Sequence, residues 1–237
     1  GGVVPNPIGI ESDGTMPLKT IQESIRPKHD PHFATTKLVC LENTFAGQPL
    51  PTNYATQVSE ICSKNDLSLH LDGARIFNAA IADNTSVKEL TQPFDSVSIC
   101  LSKGLGAPIG SILLSSEELI KNARRWRKVL GGGMRQAGII AAAGMYALKN
   151  NVETLSNDHE KAAELFETLK MRFGEENITC FTNMLHLDIG HGVYTSLASY
   201  LAESGIRVGR PRWVLHKDVS NNAVTKIKRL IRSFKET

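Results

Sequence analysis

The sequence has 237 residues, 41% of them hydrophobic, and 27 lysines and arginines against 24 acidic residues give a formal net charge of +3. A chain of this length can bury a core of its own, whereas its longest apolar stretch, residues 138–148, is far shorter than the roughly 20 residues of a membrane-spanning helix. The weak positive charge, without base-stacking aromatics or a recognition module, argues against nucleic-acid binding.

The four cysteines indicate a reducing compartment. They lie far apart and form no Cys-x-x-Cys pair, and three of them stand in apolar runs, where cysteine behaves as a small hydrophobe. Reduced thiols fit this pattern better than a disulfide framework or a zinc site. We therefore expect a cytoplasmic protein without a structural metal.

The first 150 residues alternate strand-like apolar runs with helical periodicity. A loop-like start and a short amphipathic helix precede the first strand. The alternation predicts an α/β fold, a mainly parallel sheet with helices on both faces. The predicted strands lie at 37–42, 67–71, 96–101 and 109–114.

Two later helices have distinctive patterns. Ser115 and Glu118 have the spacing of a capping box, which predicts a helix start there, and the glycines at 131–133 predict its end. Residues 136–149 are apolar on nearly every face, which predicts a buried helix.

Beyond residue 150 the character of the chain changes to longer helices and shorter strands. We expect a large domain, residues 1–150, and a smaller α+β domain, residues 151–237. The predicted elements of the smaller domain are a charged helix at 152–172, strands at 178–181 and 184–189, a helix at about 194–203, a strand at 213–215 and a helix from 221 on.

Polar side chains follow the predicted strands of the large domain. Asn43, Asp72 and Lys103 stand at successive carboxyl ends, about 30 residues apart, which is roughly one crossover unit. Ligands of doubly wound sheets bind at that edge. We therefore expect the three side chains to lie side by side in a ligand site.

A carboxylate and a lysine at such an edge meet the needs of pyridoxal 5'-phosphate (PLP). Lys103, which we expect to be partly buried, would form the Schiff base, and Asp72 would pair with the ring nitrogen. Arg75 could donate to the ring oxygen and Ser102 to the phosphate. The alternatives are a turn or cap for Asp72, a salt bridge of Arg75 to Asp72, a surface position for Lys103 and a local turn bond for Ser102.

Several motifs together resemble the low-specificity L-threonine aldolases, which are fold-type I PLP enzymes of the β-eliminating lyase group. The resemblance runs from about residue 13 to the closing segment, so it covers most of the chain. The motifs are His-Leu-Asp-Gly-Ala-Arg at 70–75, Ser-Lys-Gly-Leu-Gly-Ala-Pro at 102–108, Gly-Gly-Gly-Met-Arg-Gln at 131–136 and Arg-x-Val-x-His-x-Asp-Val-Ser at 212–220.

The resemblance implies a role for each matching residue. Lys103 is the Schiff-base lysine, and Asp72 and Arg75 are the partners of the ring nitrogen and oxygen. Arg212 binds the substrate carboxylate, a task that suits its bidentate guanidinium, and His32 lies near the β-hydroxyl of the substrate as a candidate base. Without the resemblance, Arg212 reads as a surface arginine and His32 as a loop histidine.

The resemblance also implies an oligomer and marks two departures. Lys128 and Arg135 match residues that reach into a neighbouring subunit's site, in a dimer of dimers; otherwise they are a solvated lysine and a helix-start residue. At 42–47 the chain has Phe45 where the family has a histidine, so we expect that contact beside Asn43 to be missing. Compared with the family, we also expect roughly a hundred residues before Gly1 to be absent, including the loop that binds the cofactor phosphate at a helix amino end.

The implied activity is the retro-aldol cleavage of L-threonine or L-allo-threonine to glycine and acetaldehyde. The alternatives are another PLP-dependent β-eliminating lyase, an aldolase for another β-hydroxy amino acid such as phenylserine, and an inactive truncated paralogue that does not hold PLP. A nucleotide-binding module is disfavoured because neither a G-x-G-x-x-G fingerprint after a strand nor a P-loop is present.

Overall fold

The computed structural model describes residues 2–235, and the first part of the chain is built around a four-stranded sheet. The elements up to residue 150 are α1 (Leu18–Glu23), β1 (Leu38–Glu42), α2 (Tyr54–Lys64), β2 (Ser68–Asp72), α3 (Ile76–Ala82), α4 (Val87–Thr91), β3 (Ser96–Cys100), β4 (Ser111–Ser115), α5 (Glu117–Val129) and α6 (Gly138–Asn150).

The sheet has the order β1-β2-β3-β4, and its first three strands are parallel. Glu42 pairs with Asp72, and Asp72 pairs with Ser98, so three carboxyl ends meet at one edge. β4 is antiparallel to β3 because the loop between them, residues 101–110, is shorter than the dozen or so residues that a parallel crossover needs. The predicted α/β class with a mainly parallel sheet is confirmed.

The strands alternate between a buried and a polar face. Leu69, Leu71, Val97 and Ile99 are buried in a core that α2 and α3 complete. On the other face the ring Nδ1 of His70 lies 2.7 Å from the Ser96 hydroxyl. The residues that end the strands on this polar face are therefore the ones that reach the sheet edge with functional groups.

Helix α6 is not the buried helix that its composition predicts. Ile139, Met145 and Tyr146 are 86%, 71% and 65% exposed, and only Gly144 and Ala147 are buried. The small residues form the stripe that packs inward, and Gly144 comes so close to the Leu101 side chain that an added Cβ would lie 3.0 Å from it. Apolar composition could not reveal which face the rest of the protein would cover.

The predicted capping box at Ser115 is also wrong. Ser116 is the cap of α5, and its hydroxyl accepts a hydrogen bond from the Leu119 amide. The Ser115 hydroxyl instead donates to the Asp95 carbonyl at 2.6 Å, because Ser115 is still paired in β4.

The second part of the chain forms a smaller α+β unit. Its antiparallel sheet has the order β5-β6-β7, and its apolar core runs from Ala162 to Phe234, whereas Leu155 is the last member of the first core. The elements are α7 (Leu155–Phe173), β5 (Ile178–Phe181), β6 (Met184–Leu187), α8 (His191–Glu203), β7 (Arg212–Val214) and α9 (Asn221–Ser233). Among the described residues 2–235, no helix is long and apolar enough to cross a membrane.

A buried polar network joins the two cores. The Asn78 side-chain amide lies 3.0 Å from Nε2 of His159 and donates to Oδ1 of Asn183 at 3.4 Å. Asn183 in turn donates to the Leu215 carbonyl at 2.7 Å. Burial lowers the pKa of His159, which favours the neutral ring that can accept from Asn78. The network holds the residues after β7 against the carboxyl edge of the larger sheet.

We predict that the N183A substitution lowers the free energy of unfolding by about 2 kcal/mol, because it leaves the buried Leu215 carbonyl without its donor and removes one of the two partners of the Asn78 amide. Urea denaturation measures the change. The matched control is N122A, which removes an exposed asparagine from α5. Equal unfolding midpoints for the two variants would show that the network does not stabilise the fold.

Candidate active site

A pocket of about 420 Å³ opens at the carboxyl edge of the larger sheet. It brings together residues of the two units: the start of α3, the loop after β3, and the segment after β7. Its lining is Arg75, Ser102, Lys103, Gly104, Gly106, Asn183, Val214, His216, Lys217 and Asp218. A larger depression, of about 680 Å³, lies along α2 and Gln92, away from the strand ends, and we do not regard it as the site.

Asp72 and Lys103 are exposed, so the predicted partial burial of Lys103 is wrong. Asp72 ends β2 on the polar face of the sheet, and its Oδ1 accepts a hydrogen bond from the Ala74 amide at 2.9 Å. This is the predicted turn bond, and it engages one carboxylate oxygen. Lys103 stands in a tight turn, in which the Gly106 amide donates to the Lys103 carbonyl at 2.8 Å.

The electrostatics of the edge show which charged groups lie close together. The Glu42 side chain is exposed, yet protein atoms crowd it enough that loss of hydration raises the pKa of its carboxyl, with a smaller contribution from Asp72. Arg75 and Lys103 act in the opposite direction on that pKa. Glu42, at the end of β1, therefore lies close enough to the charged groups after β2 and β3 for them to affect its pKa.

Arg212 reaches the same edge from the smaller unit. The pKa of Arg75 is lowered, first by burial and then by the positive charge of Arg212, while Glu42 and Asp72 raise it. In the described part of the chain, Arg75 forms no salt bridge with Asp72, so that reading of Arg75 is not supported. Two guanidinium groups therefore face one site without a carboxylate bound to either.

Asn43 and Ser102 are held locally. Asn43 is buried, and its side-chain Oδ1 accepts a hydrogen bond from the backbone amide of Leu50 at 3.3 Å. The backbone amide of Asn43 donates to the backbone carbonyl of Asp72. It therefore ties the loop after β1 to the end of β2 and does not line the pocket. Ser102 is exposed at the pocket, and its hydroxyl lies 3.4 Å from the Cys100 sulfur.

Asp72 and Arg212 act electrostatically on Arg75 but do not line the pocket, and three further predicted site residues are not brought to it. The His32 side chain is 84% exposed, and its Nδ1 lies 2.8 Å from Oδ1 of Asp30. Lys128 and Arg135 are exposed at the end of α5 and in the loop that follows, where the Lys128 amine lies 3.5 Å from the Gly133 carbonyl. None of the three is among the residues that line the pocket.

The pocket also contains residues to which the sequence assigned no role. His216, Lys217 and Asp218 follow β7, and Nδ1 of His216 lies 3.6 Å from Oδ2 of Asp218. The signal was available, because a polar cluster follows a short apolar run here as it does after β2 and β3. Asn183, which also lines the pocket, could not be identified from a sequence pattern, because only the fold brings the turn between β5 and β6 to the pocket.

The donor set of the pocket fits PLP. Within residues 2–235 the Lys103 amine makes no hydrogen bond or ion pair, so it is available to a carbonyl group. A carboxylate with one oxygen unengaged and a guanidinium stand at the neighbouring strand end. These are the groups that a pyridine nitrogen and a phenolic oxygen require.

Comparison with known proteins identifies the family of this chain. The model of the beta-eliminating lyase family matches residues 1–188. A low specificity L-threonine aldolase from Escherichia coli O157:H7 is 46% identical over 99% of this chain and 71% of its own length. Low-specificity L-threonine aldolase 1 from Arabidopsis thaliana is 42% identical over 94% of this chain, which spans 66% of that relative.

Two solved structures share the fold. The threonine aldolase of Leishmania major superposes with a TM-score of 0.72 at 18% identity, over 93% of this chain and 67% of that one. A serine palmitoyltransferase from S. paucimobilis with a bound PLP–myriocin adduct gives 0.67 at 16% identity, over 91% and 56%. At these identities the likeness shows the fold, that of the fold-type I PLP enzymes. Together with the family match and the relatives above 40% identity, it shows that this chain belongs to the beta-eliminating lyase family, alongside the low-specificity L-threonine aldolases.

Proposed function

We propose that this chain is a PLP-dependent carbon–carbon lyase that cleaves L-threonine and L-allo-threonine to glycine and acetaldehyde. The observation that carries the proposal is the convergence of Asp72, Arg75, Lys103 and Arg212 at one edge of the sheet, in a chain whose relatives are threonine aldolases. The large part, residues 1–150, supplies the cofactor site, and residues 151–237 supply the substrate arginine. The four free cysteines suit a cytoplasmic location.

Lys103, Asp72, Arg75 and Ser102 are the residues that would hold PLP. When bound, PLP supplies an electron sink for the bond that breaks. With PLP bound, the Asp72 carboxylate would favour a protonated ring nitrogen, and the Arg75 guanidinium would offset the negative charge of the ring oxygen. Asn43 contributes indirectly, because it fixes the end of β2 from which Asp72 projects.

Arg212 binds the carboxylate of the amino acid substrate. Its planar guanidinium can hold both carboxylate oxygens and so fixes the orientation of the Cα–Cβ bond. The side chain makes no ion pair within residues 2–235, so it is available to a substrate. The repulsion between Arg212 and Arg75 is relieved when anionic groups enter between them.

Cleavage also requires an acceptor for the proton of the β-hydroxyl. His32 is our candidate, since Asp30 holds its Nδ1 and leaves Nε2 able to accept. Its loop would have to approach the pocket from its present exposed position. A water molecule is the alternative acceptor.

We predict that Lys103 is the lysine to which the cofactor is attached. After the full chain is mixed with PLP and treated with borohydride, we expect mass spectrometry to find the cofactor on Lys103 and the absorption band of bound PLP to disappear in K103A. The matched control is K37A, an exposed lysine that precedes β1 at the opposite edge of the sheet. A cofactor label on another lysine, or none, would contradict the proposed site.

The same preparation separates the competing activities. L-Threonine, L-allo-threonine, phenylserine and a cysteine-type amino acid are offered side by side, and the release of glycine or of a β-elimination product is measured. Faster release of glycine from the two threonine isomers supports the proposal. Preferred elimination from the cysteine-type substrate would favour a β-eliminating lyase, and PLP binding without turnover would favour an inactive chain.

Removal of His32 tests its role as the base. If His32 accepts the β-hydroxyl proton, H32A lowers kcat about 100-fold. KM changes little, because the carboxylate is held elsewhere. The matched control is H29A, which removes the other exposed histidine of that loop; equal rates in the two variants would assign the proton to water.

We further propose that two copies of the chain pair through α5 and α6. Trp126 on α5, Leu130 directly after it and Ile139 on α6 are large apolar residues that are 57%, 81% and 86% exposed. Exposed apolar side chains of this kind are found at protein–protein interfaces. Pairing there carries Lys128 and Arg135 towards the partner's pocket, which would explain their distance from their own. A dimer of dimers is the assembly that we expect.

A charge placed on this surface tests the pairing. I139D is expected to reduce the molar mass measured by light scattering, because a buried carboxylate would oppose the pairing. The matched control, M171D, adds the same charge at another exposed apolar residue, on α7. A wild-type mass equal to that of one chain, or no effect of I139D, would refute the proposed pairing.

A further inference from the structure

The pocket contains one cation more than the proposed chemistry uses. Lys103 and Arg75, which line the pocket, have a proposed role towards the cofactor, and Arg212, which acts on Arg75 from outside the lining, has one towards the substrate carboxylate. Lys217 lines the same pocket and has none. Within residues 2–235, none of these four side chains makes a hydrogen bond or an ion pair. Lys217 is thus a positive charge left available inside a ligand pocket.

The position of Lys217 is built into the turn that carries Lys103. Gly106 closes this turn with φ of +72°, and a Cβ added to Gly106 would lie 3.2 Å from Cδ of Lys217 and 3.3 Å from its Nζ. The lysine side chain therefore occupies space that only a glycine leaves open. Because its stem already rests on backbone, Lys217 loses less rotamer freedom on binding a ligand than a free surface lysine would.

The nearby acids do not neutralise this charge. Asp218 is next to Lys217 in sequence but is oriented to His216, and Asp72 accepts from the Ala74 amide. A cleft lined by an excess of one charge sign focuses the electrostatic potential and attracts ions of the opposite sign. A ligand with a single carboxylate on Arg212 would leave Lys217 without an anionic partner.

We propose that Lys217 is an anion contact of the pocket, in addition to the one proposed for Arg212, and that it binds a phosphate or carboxylate oxygen. The inference rests on the proposed function in that it takes the role of Arg212 from it. Two sources can supply such an oxygen: the phosphate of PLP, and the side-chain carboxylate of an acidic amino acid substrate. In the second case Lys217 extends the substrate range towards acidic β-hydroxy amino acids.

Acetylation footprinting of the full chain measures this contact without any turnover. The rate of labelling of Lys217 is followed by mass spectrometry in the presence of saturating inorganic phosphate or L-aspartate. Whichever of the two anions contacts Lys217 is expected to slow the labelling of Lys217 in the wild type. Because a charge-assisted hydrogen bond corresponds to about tenfold in affinity, the same anion is expected to bind K217M about tenfold more weakly than wild type. The exposed Lys37 serves as the internal control and is expected to keep its rate.

The two arms distinguish the sources. Protection by phosphate, together with weaker binding of PLP but not of unphosphorylated pyridoxal to K217M, assigns Lys217 to the cofactor. Protection by L-aspartate, with a raised KM for acidic substrates only, assigns it to the substrate. K217R should restore binding because it keeps the charge, and K37M should behave as wild type. Unchanged labelling with both anions and wild-type affinity of K217M would overturn the inference.

Failure of the proposed function would look different. The attachment of PLP to Lys103 is read from the borohydride experiment, whereas protection of Lys217 by phosphate or L-aspartate needs no bond to Lys103. Protection without cofactor attachment would retain the anion contact and reject the lyase. Attachment of PLP to Lys103 without protection of Lys217 would retain the lyase and reject the anion contact.

Discussion

The parallel pairing of β1, β2 and β3 is the constraint on which the site depends. Because these strands run in the same direction and in register, Glu42, Asp72 and Ser98 end at one edge, and the loop that carries Lys103 begins there. A register shift of one residue in β2 would turn Asp72 to the apolar face. The buried leucines at 69 and 71 oppose such a shift, so the packing of the core also orients the carboxylate.

The second half of the site depends on a polar link between the two cores. Asn78, Asn183 and the Leu215 carbonyl connect α3 to the segment after β7, and each partner is buried deeply enough that an unmade bond would be costly. This link places His216 and Lys217 against the turn of Lys103. Apolar contacts alone would join the units with less directional precision, since hydrophobic contacts are not directional.

The excess of positive charge at the edge would favour anionic ligands in the pocket. Arg75, Lys103, Arg212 and Lys217 come from three segments: the start of α3, the loop after β3, and β7 with the residues that follow it. The lowered pKa of Arg75 reflects both its burial and its repulsion by Arg212. The acids close to them, Glu42 and Asp72, only partly offset this charge. A cofactor with a phosphate and a substrate with a carboxylate would neutralise the remaining positive charge. The electrostatics of the edge are therefore consistent with PLP and an amino acid, the ligands that we propose from the family membership.

The sequence by itself determined the α/β class, the strands and the pocket residues that follow β2 and β3, because local patterns carry this information: alternating burial marks a strand, and a polar cluster after it marks the sheet edge. The pocket residues after β7 were missed, and the substrate role proposed for Arg212 comes from the family motifs, since no local pattern distinguishes that residue. Only the tertiary structure decided that α6 is exposed, that Asp72 and Lys103 are open to solvent, that Asn43 is engaged by its own loop, and that Lys217 lies over Gly106. The physical reason is that burial and side-chain contact depend on residues distant along the chain, whereas hydrophobic period and strand ends are local properties.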